Sequence, residues 1–261
     1  MHDGHGLMLL LVSGVFGAVV GSFLNVCIYR LPRRESVAWP GSHCPACSHA
    51  IAWYDNIPVV SYVGLVGRCR HCEVRIPLQY PLVEILNGLG YVGVVWFFGL
   101  TWSTVAYCGF FSALLVVAGT DLTHKIIPNA ITYPGIVLGL ISAGTILPLG
   151  LINGIIGLLV GGGILWLLAW ASPYLFGKEG MGGGDIKLLA MIGAFLGWKP
   201  AVMTIMVGSF LGSVVGVALI ASKVIRRDDY IPFGPFLVCG ALVALFFGPS
   251  LLDWYQSLLA G

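Results

Sequence analysis

Apolar runs of about 20 residues follow one another along most of this 261-residue chain, and that recurrence leaves few folds open. Lipid offers no hydrogen bonds to the backbone, so each run must satisfy its own amides as a helix. Only 9% of the residues are charged and 58% are hydrophobic, against about 25% charged in a soluble domain. The expected fold is an all-α polytopic membrane protein of about eight transmembrane helices, with runs at 7–28, 80–100, 103–120, 129–149, 151–172, 186–198, 200–221 and 232–256. The run at 186–198 is short and begins directly after Asp185. An interrupted span is tolerated only where it lines protein or a water cavity, which sets this region apart.

The 37 glycines fit the same solvent. Small residues four apart let helix backbones approach closely in lipid, and Gly17-x3-Gly21, Gly157-x3-Gly161 and Gly208-x3-Gly212-x3-Gly216 are expected to be packing stripes. The opening Met1-His-Asp-Gly-His-Gly has neither Lys nor Arg, unlike the n-region of a cleavable signal, so the first run is expected to remain as a membrane helix.

Orientation follows the basic residues. The 29–79 loop carries Arg30, Arg33, Arg34, Arg68, Arg70 and Arg75. Lys125 follows the third run, Lys178 and Lys187 flank the 182–186 segment, and Lys223, Arg226 and Arg227 follow the seventh run. With eight spans these connections share one face, leaving Lys199 alone opposite. That face is expected to be cytoplasmic and both termini external.

Four of the seven cysteines form Cys44-x2-Cys47 and Cys69-x2-Cys72 in this basic loop. Each two-residue gap offers two thiolates to one ion from a tight turn, the pattern of a closed structural Zn2+ site. Two disulfides are the alternative, and a cytoplasmic location argues against them. A loop of about 50 residues is too small to bury much core, and a metal is the usual remedy. His43, His49 and His71 are spare ligands, whereas Cys27, Cys108 and Cys239 sit in apolar runs as small core residues. Asp55 is expected to serve a turn.

Two acids stand where apolar runs meet loops. Asp121 ends the third run, and Asp185 follows Gly182-Gly183-Gly184. A carboxylate at such a boundary is costly unless paired or wetted, and is a functional candidate by default. Asp185 has a simpler reading as the N-cap of the following helix. Yet both lie at similar depth on the same face, with two spans between them, and Gly182, Gly183 and Gly184 clear side chains so that an extended peptide backbone can approach. Two carboxyls held close do not both ionise, so one acts as acid and the other as base. Such a pair activates water for attack on a peptide carbonyl. Lys187 is expected on a different helix face from Asp185, and His124 at the interface. Glu84, within Tyr80-Pro-Leu-Val-Glu84, is a further acid in an apolar run.

These residues together resemble the bacterial type IV prepilin peptidases. The likeness runs through Gly21-Ser-Phe-Leu-Asn-Val-Cys-Ile-Tyr-Arg-Leu-Pro32, the two CxxC pairs around Trp53-Tyr-Asp-Asn-Ile-Pro58, Tyr80-Pro-Leu-Val-Glu84, Asp121 with Ile127-Pro128-Asn129, and Gly182-Gly-Gly-Asp185-Ile-Lys-Leu. The resemblance implies an inner-membrane aspartic protease of the GxGD type with Asp121 and Asp185 as its catalytic pair. Its implied substrates are prepilins or type II secretion pseudopilins, cut at a Gly–Phe junction. It implies a second activity too, N-methylation of the new terminus with S-adenosyl-L-methionine. No nucleotide-type glycine fingerprint marks a site for that methyl donor; Glu84 and Gly88, with the 30–79 loop, are the candidates. The expected division is a first transmembrane helix (1–29), a cytoplasmic zinc-binding loop domain (30–79) and a transmembrane protease core (80–261). Two rivals belong to other classes. One is an ion- or proton-coupled transporter using the aspartates as a relay, opposed by the lack of a detectable internal repeat. The other is an assembly factor whose zinc loop docks a partner.

Overall fold

A computed structural model describes residues 4–176, 182–226 and 231–260. Lys178 and Arg227, used above for orientation, lie outside them. The described residues are α-helical, with no strand beyond two isolated bridges. Among the described residues nine α-helices follow in order: α1 (Gly4–Arg30), α2 (Val60–Gly64), α3 (Gln79–Phe98), α4 (Trp102–His124), α5 (Asn129–Thr145), α6 (Leu151–Phe176), α7 (Gly183–Leu196), α8 (Trp198–Ala221) and α9 (Gly234–Ala260). Six segments among the described residues are long and apolar enough to cross a membrane: Gly6–Arg33, Gln79–Phe98, Trp102–His124, Leu151–Tyr174, Trp198–Ala221 and Gly234–Leu251. The chain is thus a multi-pass membrane protein. The expected count of eight is not reached on length and composition, because α5 and α7 are shorter, at 17 and 14 residues.

The chain divides into two compact units, Met1–Val116 and Val117–Gly261. In the first unit α1 packs along α3. A Cβ on Gly17 would meet the Asn87 carbonyl oxygen at 2.8 Å, and one on Gly21 would meet the Glu84 Cα at 2.8 Å, so this glycine stripe is a packing seam as expected. The seam carries its own polar fastening. Asn87 donates to the Gly17 carbonyl at 2.7 Å, the Ser112 hydroxyl donates to Asn87 Oδ1, and Tyr91 Oη lies 3.1 Å from Ser112. Polar groups away from water need such partners.

In the second unit α7 is the central element. Leu188 through Phe195 are all buried, with α5 and α6 packed on it. At about 1.5 Å per residue it is roughly 21 Å long, short of a hydrocarbon core about 30 Å thick. It ends at Gly197, whose φ of 90° favours glycine. The closest approach is between α6 and α7, where Gly157 and Gly193 each face the other's carbonyl oxygen. On the far side α8 lies against α9, with Gly208 facing the Phe236 carbonyl.

Candidate functional site

Asp121 lies in the last turn of α4, inside the helix rather than beyond it. The helix stops because Lys125 adopts a φ of 56° and donates its N–H to the Asp121 carbonyl at 2.9 Å, a left-handed C-terminal closure. The Asp121 side chain is buried, at 3% exposure. Its Oδ2 accepts the N–H of Gly234, the first residue of α9, at 2.9 Å. Unpaired amides and the helix dipole at such an end favour an anion. A Cβ at position 234 would stand 2.6 Å from Oδ2, so only glycine admits the carboxylate there. Gly234 escaped the reading of the sequence, although Gly234-Pro235 before an apolar run is a helix-start signal.

Asp185 is the third residue of α7 and 4% exposed. The N-cap position belongs to Gly182, whose carbonyl accepts the Asp185 N–H at 3.2 Å. The Asp185 carboxylate reaches back to the Gly182 amide, as the acid of a capping box does. The two carboxylates are near enough for the charge of one to act on the other. Folding therefore brings together two acids separated by 64 residues in sequence (121 to 185), each against the N-terminal amides of a different helix.

The three glycines before Asp185 differ in their surroundings. A Cβ on Gly184 would meet the Ile127 Cβ at 2.9 Å, so Ile127 occupies that side. Among the described residues nothing lies within 4 Å of a Cβ built on Gly183, and one on Gly182 would meet only Asp185 Oδ2 at 3.5 Å and the Gly184 nitrogen at 4.0 Å. Open space thus lies beside the first two. Lys187 turns away to Asn129 Oδ1 at 2.9 Å and lies 5.2 Å from the Tyr133 ring centroid, which ties α7 to the first turns of α5. His124 Nδ1 lies 2.7 Å from the Thr123 hydroxyl.

In the first unit Cys44, Cys47, Cys69 and Cys72 converge, with all four sulfurs within 4.8 Å of one another. Cys44 and Cys72 Sγ are 3.8 Å apart. That is nearly twice a disulfide length. It matches the edge of a tetrahedron around an ion about 2.3 Å from each sulfur. The two halves repeat one turn. Cys44 N–H donates to the His49 carbonyl and Cys69 N–H to the Val74 carbonyl, both at 2.9 Å, while Ser48 and Glu73 take φ of 57° and 56°. Amides of Cys72 and His71 turned towards Cys69 pull its thiol down to about 7, favouring the thiolate that a metal needs, whereas Cys72, despite the Val74 amide, is pushed up to about 12 by burial and the neighbouring thiols. The His49 and His71 rings lie 3.4 Å apart, centroid to centroid. These four cysteines can hold a metal ion. Asp55 forms a two-pronged ion pair with Arg70 at 2.8 and 2.6 Å. The guanidinium holds the Asp55 carboxyl below its ordinary value.

Between these turns and the facing ends of α1 and α3 lies a recess of about 200 Å3. Glu84 lines it, and its Oε2 accepts the Val59 N–H at 2.8 Å. Val59 has a φ of 61° and a ψ of −46°, and the Val60 N–H closes a three-residue turn onto the Pro58 carbonyl at 2.6 Å. A β-branched residue rarely adopts this backbone, and Glu84 pins it. Gly88 faces elsewhere: its Cβ would meet the Gly14 carbonyl of α1 at 2.9 Å.

Comparison with known proteins covers both units. The model for the bacterial peptidase A24 N-terminal domain matches residues 15–98, and that for the type IV leader peptidase family matches residues 108–217. The chain is 37% identical to a prepilin leader peptidase/N-methyltransferase of Aeromonas salmonicida (strain A449), over 97% of this chain and 96% of that protein. It is 35% identical to a protein of the same description in Pseudomonas aeruginosa, over 96% and 94%. A further relative in Xanthomonas campestris pv. campestris is 36% identical over 92% and 91%. No solved structure matches the chain. Nothing in these likenesses supports the transporter alternative.

Proposed function

We infer that the chain, which belongs to the type IV leader peptidase family, is a prepilin leader peptidase with N-methyltransferase activity. The reading places it in the bacterial inner membrane, with its site at the cytoplasmic face and with prepilins or type II secretion pseudopilins as substrates. Cleavage falls at a Gly–Phe junction, and Asp121 and Asp185 are the catalytic residues. The observation that carries this is the pair of buried carboxylates at two helix N-termini, beside the open backbone of Gly182 and Gly183.

The pair shares one proton, and its titration belongs to both members. The ionised carboxylate takes a proton from water as the oxygen attacks the peptide carbonyl, while the protonated carboxyl gives its proton to the carbonyl oxygen. Collapse of the tetrahedral species returns a hydroxyl proton to the second carboxylate. The first gives its proton to the departing nitrogen, the C–N bond breaks, and the starting state is restored. Gly234 N–H steadies Asp121 when ionised, and Gly182 and Gly183 leave room for an extended peptide.

Cys44, Cys47, Cys69 and Cys72 hold a structural Zn2+ with no open position for chemistry. S-adenosyl-L-methionine supplies an electrophilic methyl group to the new terminal amine. Glu84 belongs to the methyl-donor site, and Gly88 serves it indirectly by letting α1 approach α3. Cleavage of a prepilin by protein reconstituted in lipid tests the reading, with mass spectrometry of the product for methylation. An uncut leader with the intact chain sinks the peptidase assignment.

A further inference from the structure

One buried polar atom in the first unit has no work assigned to it. Asn25 is 3% exposed. Its Nδ2 donates to the Tyr80 carbonyl at 3.0 Å and lies 3.4 Å from the Gly21 carbonyl. Its Oδ1 is without a partner among the described residues. Buried acceptors are nearly always satisfied, so an orphan asks what donor belongs there. Asn25 lines the recess beneath the cysteine turns.

The recess is built from two helical stripes. Ser22, Asn25, Tyr29 and Arg30 come from α1, and Tyr80 and Glu84 from α3. Offsets of three, seven and eight residues from Ser22, and of four from Tyr80 to Glu84, put each set on one helix face. Arg30 is buried at 5% exposure and gives one N–H to the Ser36 carbonyl at 2.9 Å and another to the Gly41 carbonyl at 3.2 Å. A guanidinium has five such donors, so three remain. The recess is therefore lined by a carboxylate, an orphan carbonyl, a held guanidinium and two phenol rings. Its volume of about 200 Å3 has room for roughly seven waters at about 30 Å3 each, the size of an amino-acid group.

We propose that this recess binds the methyl donor, resting on the methyltransferase reading above. Asn25 Oδ1 and Glu84 accept from the ammonium of its methionine end, and Arg30 takes the carboxylate. Tyr80 faces the sulfonium, a cation suited to an aromatic ring, whereas the Tyr29 ring already carries the Arg33 guanidinium 3.9 Å from its centroid. The recess lies wholly within Met1–Val116. The cysteine turns, through Cys44 and Cys69, form one of its walls.

The test uses the full chain in nanodiscs, titrated calorimetrically with S-adenosyl-L-homocysteine and photolabelled with radioactive S-adenosyl-L-methionine. Asn25→Leu keeps the side-chain bulk and removes the acceptor, and is expected to weaken binding by about tenfold. Label on wild-type protein is expected in peptides covering 22–30 and 76–84. The labelling needs no variant, so it stands even where Asn25→Leu misfolds, as judged by zinc content. Label confined to other peptides, or wild-type affinity in a zinc-loaded Asn25→Leu, overturns the assignment while leaving methylation intact. Absence of both donor binding and methylated product in the wild type overturns the methyltransferase reading, and this site with it.

Discussion

The cysteine turns of the first unit and the aspartate pair of the second are both clusters of potential anions, assembled by opposite means. Each cysteine turn is complete within about seven residues. Its hydrogen bonds run from Cys44 to His49 and from Cys69 to Val74, and the same turn is made twice. The aspartates share no local motif. One ends α4 and the other opens α7, and the amide that holds Asp121 comes from Gly234, 113 residues further along. Short-range geometry builds a site that a metal can close. A carboxylate pair that must share a proton is instead set by helix packing, because its spacing has to be imposed from outside.

The largest test of this contrast removes either acid. Asp121→Asn and Asp185→Asn are each expected to reduce leader cleavage by roughly 10²–10⁴-fold, measured by single-turnover digestion of a prepilin in nanodiscs, with insertion unchanged. Comparable cleavage by either variant means that the two do not act as a unit. Next is the cysteine site. Metal analysis should give about one zinc per chain, falling to none in Cys44→Ser/Cys69→Ser, with the 31–78 segment becoming open to protease. Zinc retained by that variant places the ligands elsewhere.

Gly234→Ala asks whether the long-range contact matters. Its methyl group would have to displace the Asp121 carboxylate, and a shift of about 1 Å at a catalytic group costs on the order of 10²-fold. Cleavage assays against unchanged thermal stability measure it; an equal loss of both would make Gly234 a packing residue only. The smallest effect is expected at Asp55→Asn, which removes the pair with Arg70 at the surface of the cysteine loop. Because the guanidinium lowers the Asp55 carboxyl, its contribution is present above the ordinary carboxylate range, about 3.9. It fades as pH falls through the lowered value. Limited proteolysis of the loop at pH 7 should show a slight gain in cutting for the variant, and a difference that grows on acidification would reverse the sign.

Much of this was legible beforehand for stated reasons. Apolar runs reveal helices because lipid leaves the backbone no other partner, and the Gly17, Gly157 and Gly208 stripes marked seams that are seams. Less visible was α5, whose apolar run of ordinary composition ends early at Ile146, whereas the shortness of α7 was already legible in the 186–198 run. The Asp55–Arg70 pair was also hidden, since nothing in a 15-residue separation says that two loops meet.

Sequence by itself determined the helical membrane class, the two CxxC turns and the two boundary acids. Each is a matter of composition or of spacing within a few residues, where chain geometry leaves little freedom. Only the tertiary structure decided that Gly182, and not Asp185, caps α7. It also decided that Gly234 supplies an amide to Asp121, and that Asn25, lining the same recess as Glu84, keeps an oxygen without a partner among the described residues. Those are contacts between distant segments, fixed by how helices pack, and no local pattern encodes which backbone amide will face which carboxylate.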